Sequence, residues 1–181
     1  MTTRKRVGAV DFSVMTLTDA VQLVLDLPHR LSTDGHPGIA VHFANAYNVA
    51  IARSNTAYAE LLNSGDYVFS DGVPITWVGK RAYPAQAGTW ERVYGPDVMT
   101  MVLGRSTSEG PRHYLLGSTP EVLNQLMEQI KAQFPNAHIV GSESPPFHEP
   151  TRAELEARDD RITASGANLV WVGLGTPKQD F

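Results

Sequence analysis

Short apolar runs alternate along this chain with longer stretches in which apolar side chains recur at every third or fourth position. The first pattern predicts strands and the second predicts helices with one apolar face. Val7 to Val14 reads as the first strand. A helix follows, with Thr16 and Thr18 as capping residues and Leu17, Ala20, Val21, Val24 and Leu25 as its apolar set. Gly38 to Ala44 reads as the next strand, leading into a helix that carries Val49 and Ile51. Asn55 then caps a helix ending near Ser64-Gly65, Tyr67 to Ser70 is a short strand, and Pro74 to Lys80 is helical with its proline in the first turn.

The second half repeats the alternation. Gly95-Pro96-Asp97 precedes a helix through Met99, Val102 and Leu103. His113 to Leu116 is a strand, Gly117 to Pro120 a turn, and Val122, Leu123, Leu126, Met127, Ile130 and Phe134 mark one helix face; Ala137 to Val140 is the following strand. Ser118 with Glu121, and Thr151 with Glu154, have the spacing of capping boxes. Leu169 to Leu174 reads as a buried strand that delivers a glycine turn to a new helix. In that helix Thr176 is the expected N-cap, Pro177 the first helical residue and Gln179 the partner in a capping box. Strands alternating with helices of this length predict an α/β, Rossmann-like architecture, a mostly parallel sheet with helices on both faces. At 181 residues, the whole chain fits one domain, 1–181.

Composition narrows the chemistry. A net charge of −4 argues against a broad electrostatic footprint for nucleic acid. The chain has no cysteine, hence no disulfide framework and no thiolate zinc site, which suits a reducing cytoplasm. Its histidines lack HExxH or HxH spacing, so no metal site is expected. No apolar run approaches the roughly 18 residues of a membrane span, and the N-terminus lacks a signal-peptide core. Arg4, Lys5 and Arg6 read as a solvated tail, a membrane-surface contact being the other reading.

In parallel sheets, ligands sit beyond the carboxyl ends of the strands, and the N–H groups of a strand-to-helix turn suit anions. Five clusters occupy such positions: Asn45, Ser70-Asp71-Gly72, Arg92 with Gly95-Pro96-Asp97, Gly117-Ser118-Thr119, and Gly173 to Gln179. Each taken singly has a local structural reading. Asn45 would be a helix cap, Asp71-Gly72 a turn pair, and Asp97 a complement to a helix dipole. The Rossmann glycine fingerprint, the Walker A loop and the G-x-S-x-G elbow are absent. Trp77, Trp90 and Trp171 are expected to pack or to line a rim.

Taken together and in order, the clusters resemble the bacterial WecG/TagA/CpsF glycosyltransferase family. The matching pieces are Asn45-Ala46 with Ala52-Arg53, Asp71-Gly72-Val73, Arg92-Val-Tyr-Gly-Pro-Asp97, Leu115-Leu-Gly117, Ile139-Val-Gly141 and Val172-Gly-Leu-Gly-Thr-Pro-Lys-Gln-Asp180. The resemblance implies transfer of an N-acetylmannosamine-type or related sugar. The donor would be a UDP-sugar and the acceptor a polyprenyl-diphosphate-linked sugar, in cell-envelope polysaccharide (cell wall) biosynthesis. It implies Asp71 as general base, and Asn45, Arg92, Gln179 and Asp97 as substrate-binding residues, with Gln179 facing the cleft from the opposite loop. Gly117, Ser118, Gly173, Gly175 and Thr176 would hold the nucleotide. No cofactor is implied. The residue types fit: displacement at an anomeric carbon needs a carboxylate to take the acceptor proton and donors to stabilise the departing diphosphate. The absence of a D-x-D motif favours a metal-independent, inverting mechanism.

There are departures. Many relatives have threonine two positions before the asparagine, where this chain has Phe43, and Asp180 replaces the usual glutamate after Gln179. Relatives also continue past this point with arginines, so the expectation is a single glycosyltransferase domain lacking the family's C-terminal segment. The expected location is the cytoplasm, with a peripheral contact at the inner face of the plasma membrane open to the full-length form. A non-catalytic nucleotide-sugar-binding domain is the alternative from another class. A nicotinamide or flavin oxidoreductase rests on the β/α alternation alone.

Overall fold

The computed structural model describes residues 3–34, 38–107 and 109–181, with residues 31–34 described by their backbone. It is an α/β protein with two compact units, Met1–Val102 with Asp180–Phe181, and Leu103–Gln179.

The first unit opens with a hairpin rather than the single strand expected over 7–14. β1 (Arg4–Val7) and β2 (Val10–Ser13) pair antiparallel, with Val7 opposite Val10. The reversal is made by Gly8-Ala9, with Gly8 at φ +62°, a conformation costly for a residue with a Cβ. The basic triplet therefore lies in β1 and is not a tail. Arg4 donates to the Asp11 carbonyl and to the Asn63 carbonyl, Arg6 pairs with Asp11 at 2.7 Å, and the Lys5 ammonium sits 5.2 Å from the Tyr83 ring centre.

α1 (Leu17–Asp34) begins where Thr16 accepts a hydrogen bond from the Asp19 amide, and it buries Ala20, Val21, Val24 and Leu27. β3 (Val41–Ala44) and β4 (Tyr67–Ser70) pair in parallel, Ala44 opposite Ser70. Between them run α2 (Ala46–Ser54) and α3 (Thr56–Ser64). Asn55 ends the first helix and caps the second by accepting from the Tyr58 amide. α4 (Val73–Ala82) carries Pro74 in its first turn, and α5 (Gly95–Arg105) contains the boundary between the units. Val10, Phe12, Tyr58, Leu62, Val68 and Trp90 are wholly buried in one cluster. Each such side chain is worth about 1.5–3 kcal/mol of transfer free energy.

In the second unit β5 (Arg112–Gly117) is the central strand, flanked in parallel by β6 (His138–Glu143) and β7 (Leu169–Gly173). Central position explains why Tyr114, Leu115 and Leu116 are buried. It also corrects the reading of β7 as a buried strand. β7 is an edge of this sheet, and Val170 and Val172 remain 36% and 41% exposed. α6 (Pro120–Gln133) buries Leu123 and Ile130, whereas Val122 and Leu126, one step round the helix, are exposed. α7 (Arg152–Ala164) starts with the expected Thr151–Glu154 capping box. His113 is a satisfied core histidine. Its Nδ1 accepts from the Trp171 indole (3.1 Å), which leaves Nε2–H to donate to the Ser106 hydroxyl (3.0 Å). Burial lowers its pKa to about 4, so the ring is neutral at pH 7.

Candidate active site

Parallel pairing of β3 with β4 brings Asn45 and Asp71, each one residue past its strand, to the same carboxyl edge. The ladder continues one step beyond the strands, with the Asp71 amide donating to the Ala44 carbonyl at 2.9 Å. A Cβ on Gly72 would lie 3.4 Å from Asn45 Cβ, so the two turns are in contact. Asn45 is the N-cap of α2. Its Oδ1 accepts from the Tyr47 amide (2.8 Å), and its own amide donates to Asn48 Oδ1 (3.0 Å), closing a reciprocal capping box. Among the described residues, Asn45 Nδ2 has no partner.

Arg92 reaches the same edge by a different route. Ser70 holds the segment that carries it: the Ser70 carbonyl accepts from the Val93 amide (2.8 Å), and the Ser70 hydroxyl donates to the Glu91 carbonyl (2.7 Å). The Arg92 guanidinium lies over the Tyr94 ring, 4.1 Å from its centre, and 3.9 Å from the Asp97 carboxylate in the first turn of α5. Tyr94, which orients Arg92, was not singled out in the sequence; an aromatic two residues from an arginine is too common a pattern to find it.

Asp71 is half-buried, and its Oδ1 is shielded from solvent without a hydrogen-bond partner among the described residues. Burial raises its pKa to about 6. The Gly95 backbone amide and the Arg92 charge pull the other way, and the nearby Asp97 charge adds to the rise. Such a carboxyl can ionise near neutral pH while keeping an acceptor oxygen in need of a donor, the condition a general base requires. At position 43, where the resemblance leads one to expect a threonine, the Phe43 ring meets Phe69 edge-on at 5.4 Å and packs against Gly95. An apolar wall stands there instead of a hydroxyl.

The remaining candidate residues belong to the second unit. Gly117 and Gly173 are partners at the carboxyl ends of β5 and β7. Gly117 has φ +142°, and a Cβ there would run into the Gly173 carbonyl, so no side chain fits. Ser118 follows at φ +60° with its carbonyl accepting from the Ser144 hydroxyl at 2.6 Å. Ser118 is not the cap of α6. Pro120 holds the residue before it in extended backbone, so Thr119 becomes the N-cap and accepts from the Val122 amide. The expected Thr176–Gln179 capping box does not form either. Gln179 Oε1 accepts from the Gly175 amide (3.1 Å) and the Gln179 amide donates to the Gly175 carbonyl (3.1 Å), so the turn closes on Gly175. The helix expected at Thr176 is a single 3-10 turn, Lys178–Asp180.

A family model for the WecG/TagA/CpsF glycosyl transferases matches residues 5–181. The chain belongs to that family. It is a glycosyltransferase of cell-envelope polysaccharide synthesis, acting on a sugar donor and an acceptor. Among the described residues, no helix is long and apolar enough to cross a membrane, and no three His, Cys, Asp or Glu side chains converge as a metal cluster.

Proposed function

We propose that the protein transfers an N-acetylmannosamine-type or related sugar from a UDP donor to a polyprenyl-diphosphate-linked sugar, by metal-independent displacement with inversion, with residues 1–181 serving as one glycosyltransferase domain. The observation that carries the reading is the Asp71 carboxyl, raised to about 6, beside Asn45 at the carboxyl edge of two parallel strands. Asp71 accepts the proton of the acceptor hydroxyl as that oxygen forms its bond to the anomeric carbon. The bond from that carbon to the β-phosphate oxygen breaks, and its electron pair leaves with UDP. Asn45, whose Nδ2 has no partner among the described residues, Arg92 and Asp97 are substrate contacts, Asp97 lying 3.9 Å from Arg92. Gln179 is a further substrate contact. Gly117, Ser118, Gly173, Gly175 and Thr176 hold the nucleotide, Gly117 and Ser118 standing at positive φ in the turn after β5. The enzyme works in the cytoplasm, with a peripheral contact at the inner membrane face where its lipid-linked acceptor resides.

The test pairs wild type with Asp71→Asn, assayed with UDP-N-acetylmannosamine and a soluble diphospholipid acceptor. The variant should bind UDP as wild type does and lose transfer by about 10²–10⁴-fold. Equal turnover would remove Asp71 from the role, and binding by wild type without any turnover would favour a non-catalytic nucleotide-sugar-binding domain.

A further inference from the structure

A buried line of hydrogen bonds joins the far end of the sequence to the Asn45 turn, within the first unit. Asp180, 7% exposed, accepts at Oδ2 from the Tyr58 hydroxyl at 2.6 Å, and its Oδ1 lies 3.2 Å from His42 Nδ1. The Tyr58 oxygen accepts from Asn48 Nδ2 at 2.7 Å, and Asn48 Oδ1 accepts from the Asn45 amide at 3.0 Å. Tyr58 and Asn48 are both wholly buried. The polar groups of these three side chains would each be costly at such buried positions without their partners.

The line has a direction. A carboxylate can only accept, so the Tyr58 proton must point at Asp180. Burial, with the carboxylate beside it, holds that phenol above its ordinary range, so it keeps the proton it donates. The Tyr58 oxygen is then left to accept, which turns the Asn48 amide so that Nδ2 faces Tyr58 and Oδ1 faces the Asn45 N–H. That orientation closes the capping box; with Asn45 Oδ1 taken by the Tyr47 amide, Asn45 Nδ2 has no partner among the described residues, in the turn that touches the one following Asp71.

We infer that Asp180 is a positioning residue: its buried carboxylate sets, through Tyr58 and Asn48, the orientation in which Asn45 is presented to the sugar donor. The inference rests on the transferase reading for its consequence in catalysis, though not for the hydrogen-bond line itself. Asparagine at 180 keeps one acceptor oxygen for the two donors, Tyr58 and His42 Nδ1, that Asp180 receives, and with that oxygen on His42 its Nδ2 faces Tyr58 as a donor. The Tyr58 hydroxyl then donates to Asn48 Oδ1, and Asn48 Nδ2 meets the Asn45 N–H, donor against donor. A carboxylate placed at 48 removes that conflict, since it accepts from both Tyr58 and the Asn45 amide.

The experiment compares wild type, Asp180→Asn, Asp180→Glu and the double variant Asp180→Asn/Asn48→Asp. Two measurements are made: amide hydrogen exchange at Asn45 by NMR, and kcat and KM with UDP-N-acetylmannosamine. Asp180→Asn should speed exchange at Asn45 about tenfold or more and raise donor KM about tenfold, with a smaller change in kcat. Asp180→Glu should stay near wild type, and the double variant should recover both protection and KM. Unchanged exchange in Asp180→Asn overturns the inference. So does a folded double variant that fails to recover. If Asp180→Asn alone does not fold, recovery of fold and protection in the double variant supports the direction of the line, and its absence counts against it. Exchange that responds while donor KM does not move refutes the positioning role. Exchange that responds in a wild-type background that neither binds nor turns over the donor places the failure with the transferase reading instead.

Discussion

Asp71 joins two properties that pull in opposite directions. Its half-buried carboxyl, with one oxygen shielded and unpartnered among the described residues, suits the proposed proton abstraction, and the same desolvation penalises the folded state once the group ionises. The raised folded pKa means the native protein holds a proton there that the unfolded chain has lost. The contribution of this one group to stability is therefore largest below the unfolded value near 4 and is lost as pH rises through about 6. Transfer should do the reverse, rising with pH as the base ionises and levelling above about 6. Asp71→Asn should consequently melt higher than wild type at pH 7.5, by about 1–2 kcal/mol, while losing transfer. That figure is below a full conversion of the shift because the carboxyl is only half removed from water. Calorimetry of the two proteins at pH 5 and 7.5 checks the sign: the gap should narrow at the lower pH.

At the scale of elements, the reading from sequence succeeded where one local interaction decides the geometry. Asn55, Thr151 and Pro74 occupy the helix-start positions their chemistry predicts. Thr151→Ala should cost about 1 kcal/mol, seen as a lower denaturation midpoint with an unchanged slope. The reading failed where two local rules compete. Ser118 and Thr176 both have capping-box spacing, but Pro120 moved one cap to Thr119, and Gln179 closed on Gly175 in the other case. The Val7–Val14 run looked continuous because nothing in its apolar spacing marks Gly8-Ala9 as a reversal. Gly117 illustrates a demand created by a neighbouring strand. Gly117→Ala should destabilise the protein by about 3 kcal/mol or more, because the Gly173 carbonyl occupies the space; chemical denaturation measures it.

For the molecule as a whole, the proposed mechanism needs no metal, since Arg92 and backbone donors would meet the charge of the leaving diphosphate. Transfer measured after exhaustive chelation should equal the untreated rate. A rate that collapses and returns with added Mg²⁺ would reassign that role to an ion. The exposed indole of Trp77 (71%) contrasts with buried Trp90 and half-buried Trp171. Trp77→Phe should therefore remove most of the iodide-quenchable fluorescence without changing stability by more than about 0.5 kcal/mol.

Amino-acid order was enough to specify the α/β class, the helix starts set by a single cap, and the residues that gather at strand ends. These depend on periodicity and on contacts a few residues long. It could not strip Asp71 Oδ1 of solvent or join Asp180 to Asn45 through Tyr58 and Asn48. Those features arise from groups far apart along the chain. Their energies depend on burial and on hydrogen-bond direction, and neither exists until the strands have paired and the core has closed around them.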